Sequence, residues 1–208
     1  MLQRIVCLAI GYLFGCFLTA NVVAKNLTGT SIFELGDGNP GMANVGHELG
    51  SKAAAACLAG DILKTVFAAI LAHAFFPHLG ALSIAYAGLG STLGHIFPFW
   101  HNFKGGKGIT TIFTTMIMSS PVWGIAAGLV GIATIILSGY LCVAAVVSTS
   151  FFLLMMLVTK QFELAFFALA FLLLTLFCHG PKLRGIKDGS THRASMSTKF
   201  WAKLRGNR

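Results

Sequence analysis

Charge is scarce in this 208-residue chain: 10% of residues are Asp, Glu, Lys or Arg, against 56% hydrophobic. A soluble domain of this length has no interior able to hide so much apolar surface, so the shortage of charge excludes an ordinary globular protein and makes lipid the covering medium. Eighteen Phe residues and a mean hydropathy of +0.80 agree. Metal-ligand spacing is absent too. Cys7, Cys16, Cys57, Cys142 and Cys178 fall in apolar stretches with no CxxC or Cys/His pattern, which leaves them as small packing residues and gives no reason to expect a metal. His73, His78 and His101 sit near membrane boundaries, where an imidazole meets water or head groups. No internal repeat is visible.

The net charge of +9 is not a nucleic-acid signal, because eight of the fifteen Lys and Arg lie between Lys182 and Arg208 with no stacking or groove-reading motif beside them. Residues 182–208 therefore read as a basic cytoplasmic tail at the membrane surface, following a transmembrane domain of residues 1–181. The expected class is all-α, a polytopic integral membrane protein with about seven transmembrane helices. Apolar segments at roughly 5–24, 53–76, 79–97, 109–119, 122–137, 141–158 and 162–179 are separated by Gly, Pro or charge; the fourth is short, and joining it to a neighbour would give six spans. The first has no convincing A-x-A cleavage site and is read as a span, not a signal peptide.

Seven spans put the termini on opposite sides of the bilayer. With the C-terminus cytoplasmic and the N-terminus outside, Lys25, Lys52, Lys104, Lys107 and the tail cations fall inside, and only Arg4 and Lys160 fall outside. Two glycine-rich loops and the start of the tail at His179 then share the cytoplasmic face.

Asp61 and Lys64, at i and i+3 within the second apolar segment, can pair on one helix face. Such a pair either fixes helix packing or takes a direct part in ligand binding or loop anchoring. The stretch GDGNPGMAN at 36–44 is too rich in Gly and Pro for a continuous helix, and its glycine amides, with the Asn39 and Asn44 side chains, suit a phosphate, although a tight turn between spans would also explain the Gly and Pro. The stretch GHIFPFWHNFKGGKGITT at 94–111 sets Lys104 and Lys107 among Gly105, Gly106 and Gly108 just before a helix start, again suited to phosphate, although a basic loop meeting lipid head groups would look similar. It lacks the order of a Walker A loop.

These motifs carry a resemblance to a known family. GNPGMANV at 38–45 is similar to G-N-x-G-A-T-N-V, Asp61 to Lys64 to D-x-x-K, and 94–111 to G-H-x-F-P-x-F-x-x-F-K-G-G-K-G-V-A-T of the bacterial acyl-phosphate:glycerol-3-phosphate acyltransferases of the PlsY type. The resemblance covers nearly the whole chain. It implies a multi-pass protein of the bacterial inner membrane that moves a fatty acyl group from acyl phosphate to glycerol 3-phosphate, giving lysophosphatidic acid, without cofactor or metal. Its partners would be those two substrates and membrane lipid, not nucleic acid. It implies a phosphate-binding set of Gly38, Asn39, Gly41, Asn44, His95, Lys104, Gly105, Gly106, Lys107 and Gly108, with Asp61 and Lys64 as a structural ion pair. His179, at the family's histidine, is the candidate general base, and Cys16 and Lys182 complete the catalytic candidates.

The chain departs from the family pattern at four places. Cys16 stands where the family has the serine of G-S-x-P, Phe33 where it has the arginine of D-I-R, Asp37 where it has the serine of G-S-G-N, and Lys182 where it has the asparagine of H-R-x-N-I-x-R-L. The glutamate expected near Thr191 is also missing. Cysteine is a weaker hydrogen-bond donor, Phe33 removes a guanidinium, and Asp37 adds a negative charge beside a loop suited to phosphate. Besides an active acyltransferase, the sequence therefore admits a relative acting on another phosphorylated acceptor, a non-catalytic phospholipid- or phosphate-binding protein and, with less support, an anion transporter.

Overall fold

The apolar segments form helices, and the computed structural model describes residues 1–191 and 193–206. Ten α-helices follow one another: α1 Leu2–Gly15, α2 Thr19–Thr28, α3 Met42–Leu49, α4 Ser51–Phe75, α5 Ala81–Ile96, α6 Ile109–Ser119, α7 Pro121–Ser138, α8 Leu141–Val158, α9 Phe162–Arg184 and α10 Ser195–Gly206. Single 3-10 turns occupy Ile32–Glu34, Pro77–Leu79 and Phe99–His101. No strand occurs among the described residues.

Among the described residues, five segments are long and apolar enough to cross a membrane: Leu2–Thr28, Ser51–Phe75, Pro121–Ser138, Leu141–Val158 and Phe162–Arg184. Helices α5 and α6 have 16 and 11 residues. At the α-helical rise of about 1.5 Å per residue, α6 extends roughly 16 Å, near half of a hydrocarbon core about 30 Å thick.

The first apolar run is not the continuous helix expected over 5–24. It breaks at residues 16–18, where Cys16 still has helical angles but Leu18 is extended at φ −94° and ψ 93°, and α2 starts again at Thr19. The loop expected over 36–44 also ends early, because Gly41 caps α3 and Met42, Ala43 and Asn44 form the helix's first turn. Gly50, with φ 87°, separates α3 from α4.

The chain forms two compact units, Met1–Ser119 and Ser120–Arg208. In the first, small residues bring backbones together. A Cβ at Gly11 or Gly15 would strike the backbone of Ala87 or Ser91, and one at Gly90 or Gly94 would strike that of Leu8 or Tyr12. Two glycines four apart on α1 thus face two glycines four apart on α5, the close-approach geometry that lets helices associate where no hydrophobic drive exists between them. Gly60 on α4 receives Thr19, and Gly88 on α5 receives Thr115 of α6. Ala20, Ala24, Ile32, Val45, Ala53 and Cys57 form an apolar cluster against which Phe33 and Leu35 pack.

In the second unit α9 has two faces. Phe162, Phe166, Leu169, Leu173 and Phe177 are exposed at i, i+4, i+7 spacing, whereas Leu164, Ala168, Phe171, Thr175 and His179 are buried. The first stripe suits lipid contact. The basic tail contains α10, which returns to the end of α7: Ala194 N–H donates to the Gly139 carbonyl at 2.7 Å, and the Ser197 hydroxyl and Trp201 indole N–H donate to the Ile136 carbonyl at 3.1 and 2.9 Å. These donors satisfy carbonyls that a helix terminus leaves open.

Candidate active site

The first glycine-rich loop is shaped by its own side chains. Gly36 and Gly38 adopt φ of 57° and 69°, left-handed conformations that favour glycine. From the first turn of α3, Asn44 reaches back with its amide nitrogen to the Leu35 carbonyl at 2.9 Å, and its amide oxygen accepts the Asp37 N–H at 3.2 Å. The Asp37 carboxylate accepts the Asn39 N–H at 3.2 Å. Asp37 therefore spends part of its hydrogen-bonding capacity on the loop's backbone, and Asn44 acts as its staple.

The second loop turns more sharply. The Pro98 carbonyl accepts the N–H groups of His101 and Phe103 at 3.1 and 3.0 Å, and Asn102 and Phe103 take φ of 52° and 57°, uncommon for residues with a Cβ. Gly106 N–H donates to the His95 carbonyl at 2.9 Å. Gly105 lies against the same carbonyl, and Gly106 lies between the edge of the His95 ring and the Pro40 carbonyl, leaving no space for a Cβ at either position. Because Pro40 belongs to the first loop, the two loops meet at Gly106. Gly108, at φ 73°, leads into α6. Lys104 is exposed and Lys107 half-buried.

Beneath the loops lies a buried charged cluster. Lys64 Nζ is 2.7 Å from Asp61 Oδ1, 2.8 Å from the Phe17 carbonyl oxygen and 2.8 Å from His95 Nδ1. Lys64, Asp61 and His95 have side chains only 4 to 5% exposed. An ammonium carries three N–H donors, and here three acceptors surround it. The Phe17 carbonyl is one that the break in the first helix sets free. The preceding carbonyl, that of Cys16, accepts the Trp100 indole N–H at 3.0 Å, while the Tyr12 hydroxyl donates to the Phe97 carbonyl at 2.8 Å. Helix α4 and the second loop thus supply the partners that hold the break open. The Cys16 side chain is buried at that break.

Phe33 packs on the His101 ring with centroids 5.3 Å apart. Partial burial, and then the nearby Lys25 ammonium, hold His101 below its ordinary pKa of 6.5. Lys25 and His101 consequently bring basic groups to the neighbourhood of Phe33. Of the remaining candidates, His179 and Lys182 belong to the second unit. His179 is buried on the inner stripe of α9, whereas Lys182 is exposed in the helix's last turn, its carbonyl accepting the Thr191 hydroxyl at 2.7 Å.

The structure therefore brings Gly38, Asn39, Gly41, Lys104, Gly105, Gly106, Lys107 and Gly108 into one loop pair, with Asn44 of α3 and His95 of α5 packed against it, and sets Asp61, Lys64 and Cys16 beneath or beside it. Two lysines, glycine backbone open to close approach and the N-termini of α3 and α6 border this junction, a combination able to hold a phosphate-sized anion. Tyr12 and Trp100 were not among the sequence candidates. Their only sequence signal is an amphipathic aromatic near the end of an apolar run.

A family model described as glycerol-3-phosphate acyltransferase matches residues 5–189. The chain belongs to the glycerol-3-phosphate acyltransferase family. Among its relatives, glycerol-3-phosphate acyltransferase 1 of Lactobacillus acidophilus is 46% identical over 108 residues, a stretch that spans about half of each protein, 52% in both cases. Glycerol-3-phosphate acyltransferase of a Thermoanaerobacter species is 31% identical over 192 residues, 92% of this chain and 96% of the relative. The fold is similar to the crystal structure of PlsY (YgiH), an integral membrane glycerol 3-phosphate acyltransferase, in its glycerol 3-phosphate form, with a TM-score of 0.83, 27% identity and coverage of 95% of this chain and 98% of that one. The lysophosphatidic acid form gives a TM-score of 0.81 at 26% identity. The all-helical architecture and the membrane class expected from composition are those of the family.

Proposed function

We propose that this chain transfers a fatty acyl group from acyl phosphate to the 1-hydroxyl of glycerol 3-phosphate, producing lysophosphatidic acid for phospholipid synthesis. The observation that carries the reading is the meeting of the two glycine-rich loops at Gly106, with Lys104 and Lys107 alongside, in a member of this family.

The donor is a mixed anhydride and already activated, so positioning and charge stabilisation supply much of the catalysis. The acceptor hydroxyl oxygen attacks the acyl carbonyl carbon and a new C–O ester bond forms. The bond from that carbon to the bridging phosphate oxygen breaks, and inorganic phosphate leaves with its electron pair. The hydroxyl proton passes to His179 or to the departing phosphate. Lys104 and Lys107 neutralise phosphate charge. The N–H groups of Gly38, Asn39, Gly41 and Gly106 are donated to Leu35, Asp37, Asn39 and His95, so these residues, with Gly105 and Gly108, serve by letting the anion approach the backbone closely, while Cys16 and Lys182 assist at the acceptor and apolar helix faces take the acyl chain. No cofactor or metal enters this scheme, and nucleic acid is not a partner.

The same reading has seven spans in the bacterial inner membrane, N-terminus outside and C-terminus cytoplasmic, a transmembrane domain over 1–181 and a basic cytoplasmic tail over 182–208. The distribution of lysines supports that orientation. The test is incubation of the purified, lipid-reconstituted protein with palmitoyl phosphate and labelled glycerol 3-phosphate. Lysophosphatidic acid and inorganic phosphate are expected in equal amounts. No product, beside a working control enzyme in the same lipid, refutes the assignment, and equal product from an acyl thioester refutes the donor. Lys104→Ala should raise a substrate KM and His179→Ala should lower kcat.

A further inference from the structure

We infer that Lys64 and His95 are positioning residues that lock the break in the first helix to the second glycine loop, so that the loop backbone is set from beneath by a buried charge. The inference deepens the proposed function and rests on it for its kinetic arm. Three observations on different elements carry it. Lys64, from α4, donates to the Phe17 carbonyl exposed by the break, at 2.8 Å. The same ammonium lies 2.8 Å from His95 Nδ1 on α5. His95 in turn touches the loop twice, its carbonyl accepting Gly106 N–H at 2.9 Å and its Nε2 edge lying against Gly106.

The hydrogen-bond pattern assigns the tautomer. An ammonium only donates, so Nδ1 of His95 accepts and its ring proton belongs on Nε2, the atom facing Gly106. Asp61 completes the device: its carboxylate balances Lys64 at 2.7 Å, lies 3.7 Å from His95 Nδ1 and accepts the Thr19 hydroxyl of α2 at 3.4 Å. One buried cluster thus touches the break at Phe17, α2 at its first residue, and α5 together with the loop that follows it. Moving any of these parts moves a hydrogen-bond partner of the others. Gly106, with no side chain, is the contact through which the cluster reaches both loops, because the Pro40 carbonyl closes its far side.

Two histidine variants separate positioning from filling of space. In His95→Asn the side-chain amide oxygen takes the place of Nδ1 and keeps an acceptor for Lys64, while the edge under Gly106 is lost. His95→Gln retains a donor near Nε2 and loses the Nδ1 acceptor. Asp61→Asn with Lys64→Met removes both charges together, avoiding the isolated buried charge that either change alone would leave. Each protein is reconstituted in lipid. Hydrogen exchange is followed for the peptide spanning residues 103–109, with KM and kcat measured for palmitoyl phosphate and glycerol 3-phosphate.

The expected result is exchange at least tenfold faster at Gly106 in His95→Asn and in the double variant, with a KM raised at least tenfold and kcat less affected. His95→Gln should fall between these and the parent. Unchanged exchange at Gly106 in variants that fold overturns the inference, as does faster exchange with unchanged KM in an active parent. A lowered unfolding temperature with both readouts unmoved assigns these residues to packing alone and also overturns it. If the parent makes no lysophosphatidic acid, the proposed function fails by itself, while the exchange measurement still reads the link between cluster and loop.

Discussion

Replacing Gly106 by alanine adds one methyl group at the place where the two glycine-rich loops touch. Gly106 does not have a positive φ, so alanine can adopt its backbone conformation and the perturbation is steric. The added carbon would overlap the His95 ring edge and lie 3.0 Å from the Pro40 carbonyl oxygen, so either the ring or the first loop must retreat. The ring is fixed by Lys64 on its other nitrogen, leaving the loops to separate. Overpacking of this kind costs about 1–3 kcal/mol. If that cost falls on the transition-state complex, kcat/KM drops roughly 5- to 160-fold at 1.36 kcal/mol per tenfold. The assay is initial-rate formation of lysophosphatidic acid from palmitoyl phosphate in lipid, alongside thermal unfolding. Gly128→Ala is the control, since a Cβ there meets nothing within 4 Å. Gly106→Ala matching Gly128→Ala in both kcat/KM and unfolding temperature would refute the claim that the loops are packed at this point.

Trp100→Phe removes the donor to the Cys16 carbonyl and should lower stability by about 1 kcal/mol, a shift of roughly 2–4 °C in Tm by scanning fluorimetry; an unchanged Tm would mean that another group already satisfies that carbonyl. Lys25→Met should move the His101 pKa, followed by NMR of ring-labelled histidine, upward toward 6.5, because the ammonium is one of the causes that depress it. A depressed folded pKa favours the neutral ring, so the His101 contribution is present above its unfolded value and is lost as pH falls through the lower folded value; Lys25→Met should narrow that window. Ending the chain after Asp188 removes the donors to the Ile136 and Gly139 carbonyls, and should speed proteolysis near residues 138–141, whereas Lys203→Ala, at an exposed position, should not.

Much of the fold could be read from residue pattern because lipid imposes a simple rule: long apolar runs become helices whose backbone groups are satisfied internally. The pairing of Asp61 with Lys64 was legible for a local reason, their i, i+3 spacing on one helix. The break at residues 16–18 was not, since neither Gly nor Pro interrupts Cys16, Phe17 and Leu18. Its partners are 47 and 84 residues away in sequence, at Lys64 and Trp100. His95 raised the same difficulty, because its ligand on Nδ1 comes from another helix. The close approach of Gly11 and Gly15 to Gly90 and Gly94 was not read from the sequence either, because patterns of apolarity do not register glycines four apart. Within the loops, glycine marked the right places, but the use of Asn44 as a staple depends on α3 beginning at Met42, and helix limits are weakly encoded by pattern.

The partners that hold the first helix open give the chain an order of assembly. When residues 2–28 first enter a membrane, neither Lys64 nor Trp100 has yet followed, and freed carbonyls in hydrocarbon cost several kcal/mol each. The favoured early form is one straight, uninterrupted helix. Once α4 and the segment carrying Trp100 lie against residues 16–18, their donors remove that penalty and the bend becomes a satisfied state.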